Sequence, residues 1–466
     1  MTSLQLLTID GSHISLEKAK ISELSNTLDG QVLLPTDDVY KAARKVFNAM
    51  IDKRPSLIVQ CANAADVVTA VKFARKHGLL VAVRGGGHSI SGKSVCDGGL
   101  LIDLSRMKGM HVDAANRTAQ GQAGLRLSEF DRETQAFGLA TTLGIVSNTG
   151  IAGLTLGGGI GWLNGKYGLA CDNLLSADMV TADGRFVKAS STENEDLFWG
   201  VRGGGGNFGI ATSFNYQLHP VDNVLGGMVV YPMTQAKEVL RFYDTFAREC
   251  PDELTTTAAL STEPDGNSVL TISVCYSGSL AEGERALKAL RAFGSPVADS
   301  VRPIRYVEMQ SLSDEAYPPG RFHYWKSSFL RALSTGSIET IVENATSAPS
   351  PMSEVVLQQM HGAASRVGPT ETAFAHRHDQ WDFMILAQWA DPLDSKKNIT
   401  WARSFWEAMQ PFLEKTVYVN NLGEEGEERV RAAYGQNYER VVHLKRKYDP
   451  TNFLRLNQNI TPTHPG

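Results

Sequence analysis

The sequence predicts an α+β protein with a glycine-rich first domain and a second domain built on an antiparallel sheet. Three observations carry this. At 466 residues the chain exceeds the roughly 250–300 residues at which one hydrophobic core stops growing, so two domains are expected. Many of its 43 glycines fall into three clusters, at residues 85–99, 150–168 and 203–209. After residue 221 the clusters cease, and amphipathic helices alternate with strand-like runs. The segments read this way are 1–220, 221–424 and a C-terminal stretch, 425–466.

Taken in order, "SLIVQCA" is a short β-branched run, and "NAADVVTAVKFARKHG" opens on Asn63 and stops at Gly78. Helical spacing puts Val67, Val68, Val71 and Ala74 on one face, the stripe with which a helix lies on a sheet. "LLVAVRG" follows as a second strand and completes a β-α-β unit. Short strands and turns come next, among them "MHVDAANRTAQGQAG" and "DMVTADGRFVKAS", whose Asp-Gly supplies the positive φ of a hairpin turn. In the second domain "MTQAKEVLRFYDTFAREC", "LAEGERALKALRAFG" and "ITWARSFWEAMQPFLEK" read as helices, and "NSVLTISVCYSG", "WDFMILAQWAD" and "TVYVNN" as strands. Such alternation fits a parallel α/β array or an antiparallel sheet backed by helices; the period-2 pattern of the strand runs favours the latter. The stretch "YGQNYERVVHLKRKYDPTNFLRLNQNI" reads as a helix stopped at Asp449-Pro450, then an extended tail.

A net charge of −5 with 42% hydrophobic residues lacks the basic excess of a nucleic-acid binder. No apolar run reaches the roughly 18 residues of a membrane helix, and the amino terminus lacks the pattern of a signal peptide, so a cytoplasmic protein is expected. The five cysteines (Cys61, Cys96, Cys171, Cys250, Cys275) are widely spaced and read as buried thiols, with neither a disulfide framework nor a metal site.

"VRGGGHSISG", residues 83–92, runs a strand into three glycines, whose successive N–H groups make a nest for a diphosphate. It is not the G-x-G-x-x-G dinucleotide fingerprint. Residues 87–94, "GHSISGKS", satisfy the phosphate-loop pattern G-x-x-x-x-G-K-[ST] and leave a nucleotide hydrolase as a rival reading. The context argues against it, since "VCDGGLLIDLS" promises a strand rather than a helix. The second and third clusters, the latter with Arg202 as a charge partner, repeat the nest and imply a large polyphosphate cofactor.

With "GLTLGGGIGWLNGKYGLACDNLLSADMVTADG", "DLFWGVRGGGGNFG" and the tail "KYDPTNFLRLNQNI", these segments resemble the berberine-bridge-enzyme-like branch of the vanillyl-alcohol oxidase and p-cresol methylhydroxylase flavoproteins. The resemblance covers nearly the whole chain. It implies a two-lobed FAD-binding domain of the p-cresol methylhydroxylase type, completed by the C-terminal segment, and an α+β substrate domain whose sheet roofs the flavin.

For FAD the resemblance implies Arg84, Gly85, Gly86, Gly87, His88, Ser89 and Gly92 from the first cluster, with His88 as covalent anchor. From the second it implies Val146, Thr149, Gly150, Gly153, Gly157, Gly158, Gly159 and Gly161. Asn207, Gly209, Asn420, Asn457 and Asn459 complete the set. Many relatives attach the flavin again through a cysteine, but Val146 stands at that position, which implies a single link. Cys171 lies too far along to replace it. Thr149 occupies the position that governs oxygen access and is small, which favours an oxidase over a dehydrogenase.

A substrate hydroxyl needs a base within hydrogen-bond reach. Tyr418, in "YVN", matches the family's base, although Asn421 replaces the aromatic that usually follows. A tyrosine with a pKa near 10 needs a cationic or hydrogen-bonding neighbour to act at neutral pH. Tyr324 and Lys326, which share a strand face by period-2 alternation, are the candidates. His376, Arg377 and Gln388 also lie in segments resembling the substrate domain. The expected activity is covalent-FAD oxidation of a hydroxyl-bearing, secondary-metabolite-like small molecule with O2 as acceptor. A flavin dehydrogenase, an oxidase of a cyclic amine or sugar, and a flavin binder without turnover are the alternatives. No metal, nucleic acid or membrane is expected to take part, and the protein is expected to be a monomer or homodimer.

Overall fold

The first sheet takes shape where the β-α-β pattern lies. The structure, a computed structural model, describes residues 3–462; residues 1–2 and 463–466 of the predicted segments lie outside it. Asn63 caps the Ala64–Lys76 helix by accepting the Asp66 N–H, and Val67, Val71 and Ala74 are buried under it. Its flanking strands, Leu57–Gln60 and Val81–Arg84, are not neighbours. Both pair in parallel with Leu100–Asp103, which lies between them, and Gln31–Leu33 closes the sheet antiparallel. Leu100–Asp103 is the strand that follows the phosphate-loop match, and no helix stands between.

A second sheet of five antiparallel strands runs in the order Phe186–Ser190, Leu174–Val180, Ile210–Gln217, Thr118–Gln122, Met110–Asp113. The predicted Asp-Gly hairpin is in it, and Met110–Asp113 and Thr118–Gln122 form a second one. Gly184 supplies the positive φ, +79°, of the Asp-Gly turn.

The large sheet is antiparallel throughout. Its central order is Asn223–Pro232, Ser268–Tyr276, Leu254–Thr262, Glu354–Met360, Gln380–Trp389, Phe322–Leu330. Alternation divides it into two faces. Val355, Leu357, Phe383 and Ile385 join a core with Leu240, Ile341 and Phe405 of the Ala236–Glu249, Thr335–Ala345 and Ser395–Met409 helices. Val356, Met384 and Leu386 look the other way and meet Phe47 and Ile90 of the glycine-rich half. Glu427–Tyr434 and Tyr438–Tyr448 are helices, the second stopped at Asp449, and the chain then runs extended. "TVYVNN" is not a strand: it approaches as irregular backbone and ends in a 3-10 turn, Val419–Asn421. Among the described residues no helix is long and apolar enough to cross a membrane.

Candidate active site

Three walls enclose one deep cavity. The first and second sheets supply Val83 and Ile210, and the second face of the large sheet supplies Trp325, Val356, Gln358, Met384 and Leu386. The glycine clusters and the tail residues Leu456, Asn457 and Gln458 fill the gaps between them.

Two glycine clusters touch. A Cβ on Gly86 would stand 2.4 Å from the Gly150 nitrogen, and one on Gly150 would stand 2.5 Å from Gly86 Cα. Only glycines allow the loops to cross so closely. Gly153 and Gly206 line the cavity with nothing within 4 Å of a would-be Cβ, so any larger residue would protrude into it.

His88 lines this space with Gly85, Gly86, Gly87 and Ser89, and its ring stacks on Phe47 at 4.4 Å between centroids. Burial, helped by the charge of Arg126, pushes its pKa down to about 4, so the imidazole is neutral at pH 7. Val146, Thr149 and Gly150 line the cavity, as do Gly153, Gly209, Asn420 and Asn457.

Tyr418 also faces it. Its Oη accepts the Gly159 N–H at 2.9 Å and the Asn420 Nδ2–H at 2.7 Å, while burial raises its pKa above the usual value near 10. It stays a phenol at neutral pH, with its own proton left to donate.

Several expected residues serve the walls instead. Tyr324 and Lys326 do share a strand face, but it is the face opposite Trp325, turned to the helices. Tyr324 Oη accepts from Arg403, and Lys326 pairs with Glu425 at 3.3 Å. Neither reaches the cavity, so neither can assist Tyr418. Arg84 makes a two-point ion pair with the buried Asp103 (2.6 and 3.1 Å) that braces adjacent strands. Gly92 is where the loop passes Ile51, with a would-be Cβ 2.5 Å from its side chain.

Gly157, Gly158, Gly159 and Gly161 pack against Asn420, Phe374, Ala170 and the Leu143 carbonyl. Asn207 accepts the Ile460 N–H and donates to the Gln458 carbonyl, so it holds the tail, while Asn459 does not line the cavity. Arg202 stacks on Phe198, Arg377 pairs with Asp172, and His376 and Gln388 bind backbone carbonyls.

Four polar or aromatic residues of the lining that sequence reasoning passed over matter for its chemistry. Lys93, from the rejected phosphate-loop match, is the one formally charged residue among them, and its Nζ donates to Gln458 at 3.3 Å. Its "SGKS" context was a signal read for the wrong motif. Trp325 and Gln358 lie on the Phe322–Leu330 and Glu354–Met360 strands and Tyr317 in a loop, none of them within a motif.

The chain matches the family model described as an FAD binding domain over residues 55–190 and that described as berberine and berberine like over 417–461. It is 34% identical to an FAD-linked oxidoreductase of Dictyostelium discoideum, over 95% of this chain and 97% of the relative. It is 31% identical to (R)-6-hydroxynicotine oxidase of Paenarthrobacter nicotinovorans, over 94% and 97%. The chain belongs to the berberine-bridge-enzyme-like FAD-linked oxidoreductases. The crystal structure of 6-hydroxy-D-nicotine oxidase from Arthrobacter nicotinovorans shares the fold, with a TM-score of 0.87 and 30% identity over 94% of this chain and 98% of that one.

This FAD-dependent oxidoreductase has a cavity that fits its cofactor. Gly153 and Gly206 leave space that a side chain would close, and Ser94 Oγ and Asn457 Oδ1 are buried at its wall without a partner among the described residues. Burying such atoms is costly unless a ligand satisfies them. Lys93 offers the charge that an anionic cofactor attracts.

Proposed function

We propose that this oxidoreductase carries FAD on a single covalent link through His88 and acts as an oxidase of a compact, largely apolar molecule bearing a hydroxyl. The carrying observation is that His88 and Tyr418 share one cavity with the apolar roof of Trp325, Val356, Met384 and Leu386. A flavin held in this cavity would supply the hydride acceptor for the substrate carbon and the route for its electrons to the final acceptor. His88 is neutral and keeps a ring-nitrogen lone pair, the form able to bond to carbon. Val146 lines the cavity but offers no second nucleophile. Tyr418, as a phenol, donates to the substrate heteroatom and fixes its orientation; as the carbonyl forms, the hydroxyl proton passes to water.

That last feature favours a second reading, an amine. A neutral nitrogen needs no prior loss of a proton, and (R)-6-hydroxynicotine oxidase is among the relatives. Thr149, small and at the cavity wall, supports O2 as the electron acceptor.

Acid-precipitated, washed protein should stay yellow, and His88→Ala should release its FAD under the same treatment; a colourless wild-type pellet refutes the link. Anaerobic bleaching of the flavin by a panel of alcohols, sugars, cyclic amines and phenols assigns the substrate. Reduced protein that reoxidises faster with a quinone than in air is a dehydrogenase.

A further inference from the structure

Two side-chain amides face the cavity, and each is tied to the protein by its nitrogen. Gln358 Nε2 donates to the Ile160 carbonyl at 3.1 Å, and Asn421 Nδ2 donates to Asp382 Oδ2 at 2.6 Å. A carbonyl can only accept, and so can Asp382 while it is ionised, so in that state both amides turn their N–H groups inward to the protein. Their oxygens, Gln358 Oε1 and Asn421 Oδ1, have no partner among the described residues, and both side chains line the cavity.

The two amides flank one residue. Asp382 sits directly across the sheet from Gln358 and is fully buried, and Ser327 Oγ donates to its other oxygen at 2.8 Å. Asn421 is the residue that breaks the family's usual aromatic pattern after Tyr-x-Asn, and Asp382 is the group it meets.

Resting on the reading of this cavity as the substrate site, we propose that Asn421 and Gln358 form an acceptor pair that selects substrates presenting an O–H or N–H donor, and that ionised Asp382 sets the Asn421 half of it. Asp382 is then a positioning residue, acting through Asn421. Burial pushes its carboxyl up to about 7. Above that pH the carboxylate holds Asn421 with its oxygen toward the cavity. Below it the protonated acid can donate to Asn421 Oδ1, which lets the amide turn over and present N–H instead.

The groups facing Asp382 are Ser327 and Phe329 from one neighbouring strand, Gln358 from the other, and Asn421 and Tyr418 from the turn. Arg429, which donates to the Ser327 carbonyl, is itself paired with Glu425.

The test is binding of phenol, a donor, against anisole, its methyl ether, to the oxidised holoenzyme, followed through the flavin absorbance. Wild type should prefer phenol at least fivefold at pH 8.5 and lose most of that preference at pH 5.5. Asp382→Asn should make the ratio independent of pH, and Asn421→Leu should reduce it towards one at both. Asn421→Ser, a smaller change, stands in if the leucine variant loses its flavin. Equal affinity for the two probes at pH 8.5, no binding of phenol, or a pH-dependent ratio surviving in Asp382→Asn overturns the proposal. Flavin that is bleached by the substrate panel while selectivity is absent overturns only this inference; flavin that no member of the panel bleaches overturns the underlying reading of the cavity as the substrate site.

Discussion

Gly86 and Gly150 cross with their backbones in contact, and neither neighbour is a flexible side chain that could yield. Gly86→Ala therefore has to push the second cluster away from His88. It should lower flavin content sharply while leaving the large sheet folded, as read by the ratio of visible to protein absorbance and by far-UV circular dichroism. Normal flavin loading would contradict the crossing. Thr149 is the complementary case, since it lines the cavity with room in front of it. Thr149→Leu should slow reoxidation of the reduced flavin in air at least tenfold and leave the rate with a small quinone within twofold. Stopped-flow traces that show both rates falling together would assign the loss to general damage.

At the scale of elements, alternation was legible and its direction was not. Period 2 put Tyr324 and Lys326 on one side of the Phe322–Leu330 strand, but choosing the side that faces the cavity depends on which partner covers each face. Local sequence holds no such information. The Ala64–Lys76 helix could be read to its cap because capping is local chemistry, whereas the insertion of Leu100–Asp103 between its flanking strands is long-range pairing. "TVYVNN" has strand composition yet ends in a turn, held where Tyr418 binds Gly159 and Asn421 binds Asp382. Of the candidate site, the glycine loops, His88 and Tyr418 were readable from motifs. Gln358, Trp325 and Tyr317 were not, because they reach the cavity only through sheet register and loop packing.

Between the helices Leu127–Gln135 and Tyr306–Ser311, Asp131 is fully buried and receives one hydrogen bond, from Gln310 at 3.0 Å. Burial pushes its pKa up to about 7. The folded pKa exceeds the unfolded value near 3.9, so between those two pH values the native fold keeps a proton that the unfolded chain has released. The contribution of Asp131 to stability is full below pH 4, declines as pH rises to 7 and is flat above. The shift bounds the loss at about 4 kcal/mol. Asp131→Asn keeps an acceptor for Gln310 and removes the charge. It should raise the melting temperature by several degrees at pH 8 and change it little at pH 4, and an equal gain at both pH values would rule the titration out.

The two largest cores lie in the glycine-rich half and under the helical face of the large sheet, and the smaller cluster of Phe47, Ile90, Val356, Met384 and Leu386 joins the two halves beside the cavity. The C-terminal tail closes that meeting point, and it is held by a fully buried ion pair. Lys445 Nζ reaches Asp449 at 2.8 Å and the carbonyls of Asn207 and Leu454 at 3.1 and 2.9 Å. Asp449 in turn accepts the Phe453 and Leu454 N–H groups, so the bend leading to Asn457 and Gln458 is built around it. Removing one partner of a buried pair leaves an uncompensated charge and costs roughly 3–5 kcal/mol, whereas neutralising both is far milder. Lys445→Met should therefore lower the unfolding midpoint by several degrees and increase quenching of flavin fluorescence by added iodide as the tail loosens. Lys445→Met with Asp449→Asn retains an acceptor for the bend and should recover more than half of the lost stability. A double variant no more stable than the single one would mean that the hydrogen bonds to Asn207 and Leu454, rather than the charge pair, hold the tail against the cavity.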